Sequence, residues 1–130
     1  EFYLIAKERL AEGGVLAQNI EPTTMLFDSA IATLASVFDN IDLYPSGGNV
    51  VAIAYDGERR EQDALLANAS ELQEEFGFRY SMPEMIGERH LLTDIPDAEP
   101  LVDDFAPVEM LKSIERHNEG VDAISRPAAN

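Results

Sequence analysis

Gln18, Asn19 and Glu21 stand together where a short apolar run that follows Gly13-Gly14 gives way toward Pro22. Each of the two amides can donate and accept hydrogen bonds. The Glu21 carboxylate can hold an ammonium group or take up a proton. It can equally complement the dipole of a helix opened by Pro22, and position alone leaves both readings open. Tyr44, in Tyr44-Pro45-Ser46-Gly47, either leans over a cleft or stands on the rim of a turn. Asp103 and Asp104 precede Pro107. Side by side they can face a cationic amine. On the plainer reading Asp104 caps a helix and Asp103 is solvated.

Other chemistries find little support. The chain has no cysteine, which excludes disulfides, thiolate catalysis and Cys-based metal sites. His90 and His117 have no partner at metal-ligand spacing, and Asp94, Asp97 and Glu99 do not follow the calcium-loop pattern. Neither a G-x-S-x-G elbow nor a G-x-G-x-x-G loop occurs. Lys plus Arg number 9 against 25 Asp plus Glu, a formal net charge of -16, so phosphate backbones are repelled and nucleic acid is not an expected partner. The same charge attracts cationic ligands such as polyamines, or simply keeps the protein dissolved.

The residues of interest are positioned by alternating helices and strands. The 130 residues suit one domain. Phe2, Ile5, Ala6 and Leu10 fall at helical spacing, and Gly13 offers a stop. Residues 15–20 read as a buried strand. A second helix opens at Pro22, with Phe27, Ile31, Leu34 and Phe38 inward. Residues 41–44 alternate as a half-buried strand, Pro45-Ser46-Gly47-Gly48 is turn chemistry, and Asn49–Tyr55 is a continuous apolar strand. Burial on both faces places that strand between the other two and antiparallel to both. Leu65, Ala69, Leu72 and Phe76 stripe a third helix ended by Gly77, and Ser81-Met82-Pro83-Glu84 is a capping box for a short fourth. Residues 87–104 form a long acidic loop. Pro107 starts a last helix with Val108, Leu111 and Ile114 inward, running to about Asn118, and residues 119–130 form a flexible tail. In such sheets ligands gather at the carboxyl ends of strands, where Gln18, Asn19 and Glu21 fall.

No apolar run approaches the ~20 residues of a membrane span, and a cytoplasmic location is the default. Glu1-Phe2-Tyr3 already read as the inside of a helix, so the chain is expected to be a piece of a longer protein.

The order helix, strand, helix, hairpin resembles the second half of a Rossmann-like methyltransferase-type domain. Glu1-Phe2-Tyr3 with Leu10-Ala11-Glu12-Gly13-Gly14-Val15-Leu16, then Tyr44-Pro45-Ser46-Gly47, then Leu101 to Leu111 (LVDDFAPVEML) are together similar to the spermidine synthase family. The likeness covers residues 1–118. It implies a C-terminal half of an α/β sheet with a terminal antiparallel hairpin, one wall of an amine site made by Gln18, Asn19, Glu21, Tyr44, Asp103 and Asp104, and an aminopropyl transfer from decarboxylated S-adenosylmethionine to a putrescine-like amine. The family's glycine-rich loop, its acidic residue on the cofactor ribose and its catalytic aspartate would all precede Glu1. The resemblance therefore implies no catalytic and no cofactor-binding residue in this chain, with decarboxylated S-adenosylmethionine a co-substrate of the intact protein only. The segment between Phe38 and Tyr44 is shorter than the family's corresponding loop. Residues 15–20 would then need a partner, either the missing N-terminal half or a second copy. Two other readings stand beside this one: a non-catalytic assembly module, and an S-adenosylmethionine-dependent methyltransferase of another kind.

Overall fold

The computed structural model describes residues 1–102. The elements are α1 (Phe2–Arg9), β1 (Leu16–Ile20), α2 (Leu26–Ala35), β2 (Asn40–Ser46), β3 (Asn49–Tyr55), α3 (Gln62–Phe76), α4 (Met82–Gly87) and β4 (His90–Leu91). The strands form one open sheet in the order β1-β3-β2-β4, and every neighbouring pair is antiparallel. The described chain is thus a mixed α/β protein on a four-stranded antiparallel sheet. β3 lies between β1 and β2 and antiparallel to both, as its apolar sequence demands. β1 and β2 therefore run parallel to each other, and both end at the edge of the sheet that carries the hairpin turn.

That turn is tighter than the sequence suggests. Ser46 pairs with Asn49, leaving Gly47-Gly48 alone as the loop. Their φ angles are 56° and 102°, so both central residues take the positive values that a two-residue hairpin requires and that glycine supplies at least cost. β2 accordingly extends through Pro45 and Ser46, which the sequence reading places in the turn. β4 pairs only with Asp42 and Leu43, so Pro45 falls beyond β4, where β2 has an open side and a proline is tolerated.

The strand period sorts the sheet into two unlike faces. By register, Leu16, Gln18 and Ile20 of β1 share a face with Ile41 and Leu43 of β2 and with Ala52 and Ala54 of β3. This face carries the core: Ile20, Ile41, Ala52 and Ala54 pack with Ala30, Ile31 and Leu34 of α2, together with Tyr3 and Phe38. Alanine at both buried β3 positions of this face lets the larger side chains of α2 settle close to the sheet. Ala17, Asn19, Asp42, Tyr44, Val51, Ile53 and Tyr55 belong to the other face.

Four expectations need correction. In α1 the inward residue is Tyr3, while Phe2 and Ile5 are exposed. The inward stripe is Tyr3, Lys7 and Leu10: Leu10 packs on the core, while Tyr3 and Lys7 lay their carbon stems inward and their polar tips find partners beneath. The helix also stops at Arg9, before Gly13. α2 starts at Leu26, not Pro22. The intervening residues turn on hydrogen bonds from the Thr24 amide and hydroxyl to the Glu21 carbonyl, and from the Phe27 amide to the Thr24 carbonyl. The acidic stretch 87–104 contains a strand, β4, followed by a Leu92 amide that donates to the Ile41 carbonyl. The remaining helices agree with their sequence signals: Gly77 closes α3 in the left-handed conformation, and the Ser81 hydroxyl accepts from the Glu84 amide at the start of α4. The helix expected from Pro107, the tail 119–130 and the Asp103-Asp104 pair lie outside the described residues.

Candidate functional site

The predicted wall residues of β1 divide between the two faces. Gln18 turns to the core face, where its Oε1 accepts from the Tyr3 hydroxyl at 2.5 Å. Burial raises the Tyr3 phenol above its ordinary value, and the bond to Gln18 opposes that rise. Asn19, the next residue, points to the opposite face and is exposed. Adjacent residues of a strand cannot serve one face, so Gln18 and Asn19 do not converge. Asn19 shares a register row with Val51 and, one strand further, Tyr44. Asn19 and Tyr44 thus stand on the same face about 10 Å apart, two strand spacings.

Glu21 follows directly after β1, at the hairpin end of the sheet. Its Oε1 accepts from the Thr23 hydroxyl at 2.8 Å, and it is half-buried. Because α2 begins five residues later, Glu21 is not that helix's cap. Tyr44 lies within β2 and is half-buried. Burial first, and then the neighbouring Asp42 charge, raise its phenol pKa.

The most strongly built polar cluster was not among the sequence candidates. Asp42 and Arg89, each with only 3% of its side chain exposed, form an ion pair of 2.7 Å between Oδ2 and Nη2. The Tyr55 hydroxyl donates to Asp42 Oδ2 at 3.0 Å and accepts from the Arg60 amide and from Arg89 Nη2, both at 3.3 Å. Arg89 Nη1 donates to the Arg60 carbonyl at 2.9 Å and to Gln62 Oε1 at 3.3 Å. Arg59 approaches Asp42 Oδ1 at 3.5 Å. Arg60 stacks on the Tyr55 ring, 4.7 Å from its centroid, and its Nη2 reaches the Gly13 carbonyl. Burial by itself lowers the Arg89 guanidinium. The Asp42 hydrogen bond and charge outweigh it, and the group sits above its ordinary value. Arg89 Nε is buried without a partner among the described residues. Here a carboxylate on the sheet anchors the segment that follows α4. The cluster is a tether, not a free acid–base pair, since both Asp42 oxygens are engaged.

A second cluster ties α1 to the far end of the sheet. Lys7 Nζ donates to the Val37 carbonyl at 2.6 Å and to Asp56 Oδ1 at 2.9 Å. Asp56 also accepts from the Asp39 amide, and Asp39 in turn accepts from the Gly57 amide. The Lys7 bond holds the Asp56 carboxyl below its usual value. The stabilisation is present above the unfolded carboxyl's titration and is lost as pH falls through the lowered folded value. The pair is well exposed, so the effect is small.

Among the described residues no group of three or more His, Asp or Glu side chains is placed to hold a metal ion, and no helix is long and apolar enough to cross a membrane. The Asp42–Arg89 pair could be suspected only in part from sequence. The alternation in residues 41–44 puts Asp42 on the polar side of β2, but nothing local names its partner. No protein-family model, curated protein or solved structure matches the chain.

Proposed function

We propose that this chain is the C-terminal portion of a Rossmann-like, spermidine synthase-like aminopropyltransferase. The observation that carries the reading is the strand arrangement: two mutually parallel strands, β1 and β2, with the apolar β3 antiparallel between them. A simple meander would leave β2 in the middle. The resemblance in the motifs requires β3 there.

In the reaction the amine nitrogen of a putrescine-like substrate attacks the terminal carbon of the aminopropyl group. A C–N bond forms, the C–S bond breaks, the sulfonium leaves as a neutral thioether, and a base takes the amine proton. The base and the cofactor site belong to the upstream half. This chain contributes Asn19, Glu21 and Tyr44, which share the hairpin end of the sheet, as a wall for the distal ammonium. Gln18 stays outside that wall, on the core face, where the Tyr3 hydroxyl holds it. Asp103 and Asp104 are proposed to complete the wall. A charge-assisted hydrogen bond is worth roughly 1.5–3 kcal/mol. Glu21→Gln in the protein that carries both halves is therefore expected to raise the Michaelis constant for putrescine about ten- to a hundredfold. An unchanged constant would remove Glu21 from the amine site.

The sheet edge favours assembly in either an active or an inactive parent. β1 pairs only with β3 among the described residues, so its outer side is bare. Phe2, Leu4 and Ile5 of α1 and Val15, just before β1, are exposed in the same part of the chain. Bare edges of this kind recruit another strand. The missing half or a second copy is proposed to fill this one. Sedimentation of the isolated chain at micromolar concentration is expected to give a species heavier than the 14.3 kDa monomer. A clean monomer would count against the edge as an assembly site.

A further inference from the structure

The pair of helices α3 and α4 carries a surface that the amine chemistry does not use. Along α3, Leu65, Ala69, Leu72 and Phe76 form one stripe. Ala69 is 3% exposed, whereas Leu72 is 41% and Phe76 60% exposed. The stripe thus runs from covered to bare toward the helix end. Phe78 enlarges the bare part, at 45% exposure, and the Phe76 and Phe78 rings lie 5.7 Å apart. The turn that presents these rings is fixed. Gln73 Nε2 donates to the Phe78 carbonyl at 2.9 Å, and Gln73 Oε1 accepts from the Met82 amide at 3.0 Å, so one side chain braces both ends of the link.

Exposed phenylalanines gathered beside an apolar stripe in this way mark contact surfaces more often than solvated ones. Exposed carboxylates accompany the patch: Glu71, Glu74 and Glu75 on α3 and Glu84 on α4, against Arg79, which lies over the Tyr80 ring. A second copy would bring two acidic rims together, and an anionic membrane would be repelled. Apolar side chains flanked by lysine or arginine satisfy both the patch and its rim. We propose that this surface binds a cationic amphipathic segment of a partner protein. The inference is independent of the amine reading.

A fluorescently labelled synthetic amphipathic helix of leucine and lysine serves as the probe, titrated by anisotropy at about 0.15 M salt, where charges more than about 8 Å apart are largely screened. Saturable binding is expected. The double variant Phe76→Ser, Phe78→Ser should weaken it about tenfold or more, as loss of aromatic anchors does. Glu71→Lys with Glu75→Lys should weaken it too. All four side chains are exposed, so both variants should keep the parent's unfolding midpoint, which a thermal melt checks. Equal affinity of either double variant, or equal binding of a leucine–glutamate helix, overturns the proposal. So does dimerisation, or adsorption to vesicles, that the Phe76→Ser, Phe78→Ser variant abolishes, because the occupant is then a second copy or a lipid surface. Cross-links from the patch to residues 103–130 within one free chain overturn it in favour of the chain's own end.

Discussion

Asp42→Ala is expected to destabilise the protein by about 3–5 kcal/mol, the usual cost of stranding one member of a buried ion pair. The substitution removes the acceptor for Arg89 and for the Tyr55 hydroxyl while leaving the Arg89 guanidinium in a site that is 3% exposed. The neutral acceptors that remain, the Arg60 carbonyl, Gln62 Oε1 and the Tyr55 hydroxyl, do not replace the lost carboxylate charge, and Arg89 Nε has no partner among the described residues. Urea denaturation gives the measurement, with the midpoint falling at unchanged slope. The double variant Asp42→Leu, Arg89→Leu should recover much of the loss, because a well-packed apolar pair carries no desolvation cost. A loss under about 1 kcal/mol for Asp42→Ala would mean that water reaches the pair and the tether is weak.

Leu34→Ala should cost about 2–5 kcal/mol, the range for truncating a fully buried leucine. Leu34 and Ile31 are both 0% exposed and belong to the cluster that includes Ala52 and Ala54 of β3. Those alanines have no side-chain length with which to refill the space, so the upper half of the range is expected. Leu72→Ala, at an exposed position of α3, is the internal control and should stay within about 0.5–1 kcal/mol. Thermal unfolding of the two variants side by side makes the comparison. Equal losses would mean that α2 does not hold the core against the sheet.

The parts of the fold legible in the sequence were those decided by short-range chemistry. Ile31 and Leu34 announce a helix face, Asn49–Tyr55 announces a central strand, and Gly47-Gly48, Gly77 and Ser81 mark a hairpin, a stop and a cap through their own backbone preferences. What escaped were features that depend on residues distant in sequence. Tyr3 and Lys7 look polar enough to face water, and only the Gln18 amide and the Asp56 carboxylate beneath them make burial of their stems favourable. β4 is a strand of two residues in acidic surroundings, held because Asp42 and Leu43 offer it an edge. The sequence reading of the candidate site rested on the same kind of local signal. Position beyond a strand end singled out Glu21 and Asn19, whereas the split between Gln18 and Asn19 follows from strand pleating and could have been foreseen. Asp42 with Arg89 could not, since neither residue's neighbours identify the other.

The two halves of the β3 ladder differ in when they can form. β2 and β3 are joined by two glycines, so their pairing closes almost no loop, while β1 reaches β3 only after α2 and β2 have been spanned. Loop closure costs more for the longer connection, and contacts between distant residues are made late. The hairpin is therefore the early unit of folding, and β1 with α1 docks onto it afterwards. The same order operates in reverse in the native protein. A partial opening that releases β1 leaves the hairpin and its Asp42–Tyr55 bond intact, so native-state hydrogen exchange is expected to be faster at the β3 amides directed toward β1 than at those directed toward β2. The strand whose outer edge has no neighbour among the described residues is in this way also the strand most readily surrendered to a passing chain.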